Sequence, residues 1–298
     1  LDQWSQLNVE MDTLAKVYWN TTSSTVPPFY PANSSGWSIW TNERKMSTWD
    51  RKELYNHANS HDILSHWSTR RNIPHNLIHS INWEAGEDAI RRLGLNKSLW
   101  IPKWLAGFSP VGKVMQRYNL QDHAECPRCA QFEDTKHVLM CQAPQAISNW
   151  NASLSRLEIW LTKAGTMPDL QHAILSHLSS WHQNEDPPIP QYHWPGVNDL
   201  IAAQGNIGWH NFIEGGVLKD WEAKQAEYYL WLKRKNTGRG WTITLIKKMW
   251  EISWDMWKHR NDELANPQSS ASLREHARLD VLITTAYHTL FTLAHQHP

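Results

Sequence analysis

The chain has 298 residues, of which 41% are hydrophobic and 19% charged, a composition that excludes intrinsic disorder and leaves ample apolar surface for a core. Its 29 basic and 29 acidic residues cancel, so no global field draws it to nucleic acid or membrane, and any such binding needs a local patch. No apolar run is long enough to cross a bilayer and Leu1-Asp2-Gln3-Trp4 is no secretory signal, so we expect an intracellular protein, cytoplasmic or nuclear, cut from a longer chain.

The first predicted element is a helix over 2–19, with Trp4, Leu7, Met11, Leu14, Ala15 and Tyr18 on one stripe. Residues 20–36 are rich in Thr, Ser, Pro and Asn and form a loop. Trp37, Ile39, Arg44 and Met46 flank Asn42-Glu43, the pattern of a short β-hairpin. A helix follows from Thr48 to about Arg71. Asn82 caps another from Trp83 to Leu93, ended by Gly94 in a left-handed turn. Short helices fit 97–106 and 110–118, and Pro144–Lys163 and Pro168–His182 are amphipathic helices opened by proline. Pro187, Pro188, Pro190 and Pro195 mark 186–195 as a linker. Beyond it lie a helix near 216–235, a Gly-Arg-Gly hinge at 238–240, and long helices at 241–265 and 270–295. The fold class is therefore mainly α, helical lobes around a small metal module with at most a short β-hairpin.

The chain holds only three cysteines, all within sixteen residues, so a dispersed disulfide framework is excluded. The spacing is Cys126-x2-Cys129-x7-His137-x3-Cys141. Thiolate and imidazole suit tetrahedral Zn2+, and a loop pair followed by a helix pair is how small zinc modules are assembled. Asp134-Thr135 caps a helix that carries His137 and Cys141 four apart on one face. Protein fills all four positions, so the expected Zn2+ is structural and has no water to activate. The alternative is three buried cysteines and a surface histidine. Arg128 and Lys136 flank the ligands, as phosphate contacts or as ordinary surface cations.

Cys126-Pro-Arg-Cys129, Glu133-Asp134-Thr135 and His137-Val-Leu with Cys141 resemble the zinc-binding segment that follows the polymerase in non-LTR retrotransposon reverse transcriptases. Gly107-Phe108-Ser-Pro-Val-Gly112-Lys113 is similar to the phrase preceding it in algal and diatom members. Leu7-Asn8-Val-Glu-Met-Asp12-Thr-Leu14-Ala15-Lys16 looks like the last helix of a ribonuclease-H-like domain, in which Asp12 would be the final carboxylate. Trp250-x3-Trp254-x2-Trp257-x2-Arg260-Asn261 resembles the Trp-rich helix near the end of the same polyproteins. The resemblance implies this layout: a terminal ribonuclease-H-like helix at 1–19, a helical lobe at 20–185 with the zinc segment at 122–143, and a Trp-rich lobe at 196–298. It also implies a missing upstream polymerase domain, and RNA or single-stranded DNA as partner. The chain carries no paired polymerase aspartates. Asp12 is an orphan, since two-metal hydrolysis needs several carboxylates, so no catalytic residue is expected.

From Lys233 to Arg260 there are eight Lys or Arg against Glu251 and Asp255. Lys233, Arg234 and Arg239, with Lys113, Arg128 and Lys136, are the candidate nucleic-acid contacts. The competing account of the basic run, a solvated hinge between Trp-faced helices, fits the zero net charge better. Trp250, Trp254 and Trp257 at i, i+4 and i+7 read as core. His57 and His61 lack a third ligand, and the sequons at Asn20, Asn33, Asn96 and Asn151 are chance matches. Two functions remain: a non-catalytic zinc module that assists template or target binding, and an interaction fragment whose zinc only stabilises the fold and whose Trp faces pack on missing parts of the parent protein.

Overall fold

A computed structural model describes residues 62–186 and 191–296, together with 9–11, 13–14, 16–17, 40–41 and 44–45. The chain divides into two compact units, Leu1–His61 and Asp62–Pro298. In the first unit the described residues between 9 and 17 are helical, with Met11 and Leu14 exposed. Strands β1 (Trp40–Thr41) and β2 (Arg44–Lys45) pair antiparallel, as the flanks of Asn42-Glu43 predict. Asp12, His57 and His61 lie outside the described residues, as do Asn20 and Asn33.

The second unit is helical: α1 (62–71), α2 (Trp83–Arg91), α3 (Leu95–Leu105), α4 (Gly112–Arg117), α5 (Thr135–Met140), α6 (Pro144–Ala164) and α7 (Pro168–Gln183). After these come α8 (Val197–Ile207), α9 (Trp209–Ile213), α10 (Lys219–Trp231), α11 (Gly238–Ala265) and α12 (Ser270–Gln296). Gly94 does not end α2 in a left-handed turn: it is extended, at φ −66° and ψ 156°, and opens α3, while Arg92 closes α2. Other caps follow their chemistry. Asn82 accepts the Ala85 N–H ahead of α2, Pro144 and Pro168 open α6 and α7, and Gly165 closes α6 at φ 67°.

Helix α11 is the spine, packed against α2, α5, α6, α9, α10 and α12. Its Trp241, Trp250 and Trp257 are buried and Trp254 half-buried, so the tryptophan stripe is core. Two of the indole N–H groups find partners inside: Trp241 donates to Thr166 Oγ1 at 2.9 Å and Trp250 to the Glu214 carbonyl at 2.9 Å. Trp254 meets Trp100 edge-on with centroids 5.1 Å apart, and Trp257 meets Trp104 at 6.1 Å.

Other features differ from expectation. Of the stretch 186–195, residues 187–190 lie outside the described residues, and the part that follows is tied to its neighbours within the unit 62–298. Asp169 of α7 accepts the His193 and Trp194 N–H groups at 2.9 and 2.7 Å, and Asn198 of α8 holds Tyr192 from both sides. Gly238-Arg239-Gly240 is not a hinge but the first turn of α11, capped by Thr237 Oγ1 accepting the Gly240 N–H at 3.1 Å. Gly238 is there for close approach: a Cβ would stand 2.2 Å from the Glu222 carbonyl oxygen of α10. Helices α8 and α9 fall in a stretch where no element was expected, since two short helices meeting at Gly208 blur any period.

Two histidines are buried as neutral rings. His177 stacks on Trp209 at 4.4 Å and His182 on Trp150 at 4.3 Å. Burial pushes each down to about 4, from an ordinary histidine near 6.5. Because the folded values lie below the unfolded ones, the stabilisation is present above pH 6.5, shrinks as pH falls, and is gone below about 4. Going from pH 7 to pH 5 should cost roughly 2 kcal/mol per histidine. Urea titrations of the wild type and of a His177→Phe/His182→Phe variant should therefore diverge on acidification, with the variant losing less. Parallel loss in both would contradict the assignment.

Candidate metal centre

The site is built from a tight loop and a short capped helix. The Cys126 N–H donates to the Gln131 carbonyl at 2.7 Å and the Ala130 N–H to the Cys126 carbonyl at 2.9 Å. Ala130 takes the left-handed φ of 62° that turns the chain back, and Glu125 and Phe132 close the loop as an antiparallel bridge. This turn brings the Cys126 and Cys129 sulfurs to one side. Asp134 then caps α5 by accepting the His137 N–H at 2.8 Å, so the cap fixes a ligand-bearing residue directly. Cys141 stands at the other end of the same helix.

The four donor atoms, Sγ of Cys126, Cys129 and Cys141 and a ring nitrogen of His137, all lie within 4.8 Å of one another. A tetrahedral zinc thiolate site, with Zn–S about 2.3 Å, places its sulfurs about 3.8 Å apart. Cys126 and Cys141 are 3.9 Å apart, and Cys129 Sγ is 3.2 Å from His137 Nε2. Cys126 and Cys141 are buried and no cysteine is in a disulfide. The hydrogen bond between Cys126 and Cys141 holds Cys126 well below the usual thiol range and pushes Cys141 up, with burial raising Cys129. Three soft thiol donors and one imidazole are a donor set that fits a metal ion.

Arg128, between the two loop ligands, is only 9% exposed. Its Nη2 donates to the Val138 carbonyl at 2.7 Å, while Nε and Nη1 are buried without a protein partner. Glu133, fully buried, joins this module to the spine. Its carboxylate accepts the Gly112 N–H at 2.7 Å, Arg260 Nε at 3.0 Å and Arg260 Nη2 at 2.6 Å. Arg260 is 3% exposed and lies 5.4 Å from the centroid of the Trp257 ring. The Glu133 backbone N–H donates to Ala124 and its carbonyl accepts from Lys113. Gly112 must be glycine here, because a Cβ would sit 2.7 Å from the Ala124 carbonyl.

The cations expected at phosphate are divided by the fold. Arg128 is buried. Arg239 is held by Asp88 at 2.8 Å, with Glu222 at 3.6 Å and Glu84 at 3.8 Å, so its charge is already answered. Lys113, Lys136, Lys233 and Arg234 are exposed, the first two at the metal module and the last two after α10. A basic cleft of about 420 Å3 was not foreseen; it is lined by Arg92, Lys97 and Lys247 with Glu251. Lys248 engages Glu251 at 2.6 Å, while Lys97 lies 6.0 Å from the Trp254 ring centroid. Arg92, at the end of α2, and Lys97, in α3, are near in sequence, but Lys247 comes from α11, so the three do not stand out as a run.

No described helix is long and apolar enough to cross a membrane. No protein-family model, curated protein or solved structure matches the chain.

Proposed function

We propose that the chain is a non-catalytic, zinc-binding module of a retrotransposon reverse transcriptase that assists binding of RNA or single-stranded DNA. The proposed ion is Zn2+, held by Cys126, Cys129, His137 and Cys141 in a site closed to water, where it would supply fold stability and no hydrolysis. The observation that carries this is the bond between two separately recognisable segments. The cysteine segment and the Trp-rich helix, which carry the resemblance at the middle and end of the chain, are locked together by Glu133 and Arg260. That union supports the view that both belong to one working unit.

The proposed nucleic-acid surface is the cleft of Arg92, Lys97 and Lys247, with the exposed Lys113 and Lys136 as further contacts. Filter binding of single-stranded RNA and DNA across a salt series tests it. Neutralising three to five phosphates should give a slope of log K on log salt of about −2 to −3.5. No binding at low salt, or binding without a salt slope, would remove the nucleic-acid half of the proposal.

A second function, an interaction fragment, is favoured by α12. Its Leu279, Val281, Leu282, Ile283, Tyr287 and Leu290 are all exposed, more apolar surface than a solvated helix ordinarily carries. Under this alternative the same zinc stabilises the fold and α12 packs on the rest of a longer protein.

A further inference from the structure

The fold buries the Arg128 guanidinium, and among the described residues no carboxylate pairs with it. Arg128 has one side-chain partner among the described residues, the neutral Val138 carbonyl, and two buried N–H-bearing nitrogens with none. A buried cation without a counter-charge costs several kcal/mol, so proteins pair such groups. The backbone leaves this side chain little choice of place. Arg274 of α12 donates to the Cys126 and Pro127 carbonyls at 3.3 Å each, pinning the loop from outside, while Val138 holds the guanidinium from within.

The metal centre supplies the missing charge. A divalent ion with three thiolates and one neutral imidazole carries a formal charge of −1. That anion would be largely covered, with Cys126 and Cys141 fully buried and Cys129 and His137 half-buried. Arg128 stands in the loop between Cys126 and Cys129, and its guanidinium donates to the carbonyl of Val138, the residue after His137, so it lies between the loop and the helix that carry the four ligands.

We infer that Arg128 is the counter-ion of the metal centre, a positioning residue that neutralises the Cys3His site and sets its affinity for divalent metal. This deepens the zinc assignment and rests on it. The role differs from that of a phosphate contact, which a side chain this buried cannot be. It also explains why the loop carries a long cation at a covered position between two ligands, where a small apolar residue would pack without penalty.

The test is a double-variant cycle on the full chain, using Zn2+ and Co2+ with a competing chelator. Arg128→Met in the wild-type background should weaken metal binding about 10- to 100-fold, the range typical of groups that support ligands from behind. Cys129→His converts the site to two thiolates and two imidazoles, formally neutral. In that background Arg128→Met should cost little or improve binding. Tetrahedral Co2+ absorption in each variant reports that no ligand has been lost. Equal losses in both backgrounds would make Arg128 merely structural and overturn the inference. Arg128→Lys keeps the charge without the fork. Retention of most of the affinity supports the charge role, and a loss as deep as that of Arg128→Met overturns it. If the wild type takes up neither ion, the zinc assignment fails and this inference with it. If it binds tightly and Arg128→Met binds within about twofold, only the inference fails.

Discussion

Replacing Glu133 by methionine should unfold or nearly unfold the second unit. Its carboxylate is fully buried and takes three hydrogen bonds, two from Arg260 and one from the Gly112 amide. Removing it strands a guanidinium that is 3% exposed, and an uncompensated buried charge costs about 3–5 kcal/mol. Arg260→Met should cost a similar amount from the other side. The pair itself is a different matter, because desolvation offsets much of the attraction between two buried ions. A Glu133→Met/Arg260→Met double variant should therefore recover a large part of the loss, leaving chiefly the orphaned Gly112 N–H. Urea unfolding of the four proteins gives the cycle. Single-variant losses below about 1 kcal/mol would mean that the buried pair does not hold the metal module to the spine.

Metal removal is the second large effect. Ligands that converge only in the folded chain make binding energy into folding energy. Chelation, or Cys129→Ser or Cys141→Ser, should loosen the loop around Cys126, and with it the Ala124 to Glu133 pairing and the Glu133–Arg260 contact. A loss of about 4 kcal/mol lowers the melting temperature by about 8–16 °C for a unit of this size. Calorimetry with and without chelator measures it. An unchanged melting temperature together with unchanged metal content in Cys141→Ser would refute a structural metal.

The two large effects also mark what was and was not legible in the sequence. The ligand set could be read because all four ligands lie within sixteen residues, and local spacing sets local geometry. The same holds for Asn82, Pro144 and Pro168, whose caps act on the next few residues. The Trp250 stripe was readable as core because one helix face must be covered. Glu133 and Arg260 are 127 residues apart, and nothing local to either reveals that they meet. For the same reason the cleft of Arg92, Lys97 and Lys247 escaped notice, while Arg239, conspicuous in a basic run, turned out to be neutralised by carboxylates from α2 and α10. Composition misled at two points. Prolines near 190 suggested a linker, yet Asp169 and Asn198 tie residues 192–194 down, and two glycines suggested a hinge where close packing on α10 needs the first of them, Gly238.

The most direct test of a closed Cys3His metal centre is elemental analysis of the natively purified chain, coupled to thiol titration. We expect one zinc per chain, Cys126, Cys129 and Cys141 unreactive before chelation, and all three reactive after it. Protein that is folded, free of metal and already open to thiol reagent would contradict the centre on which the fold and the proposed function both rest.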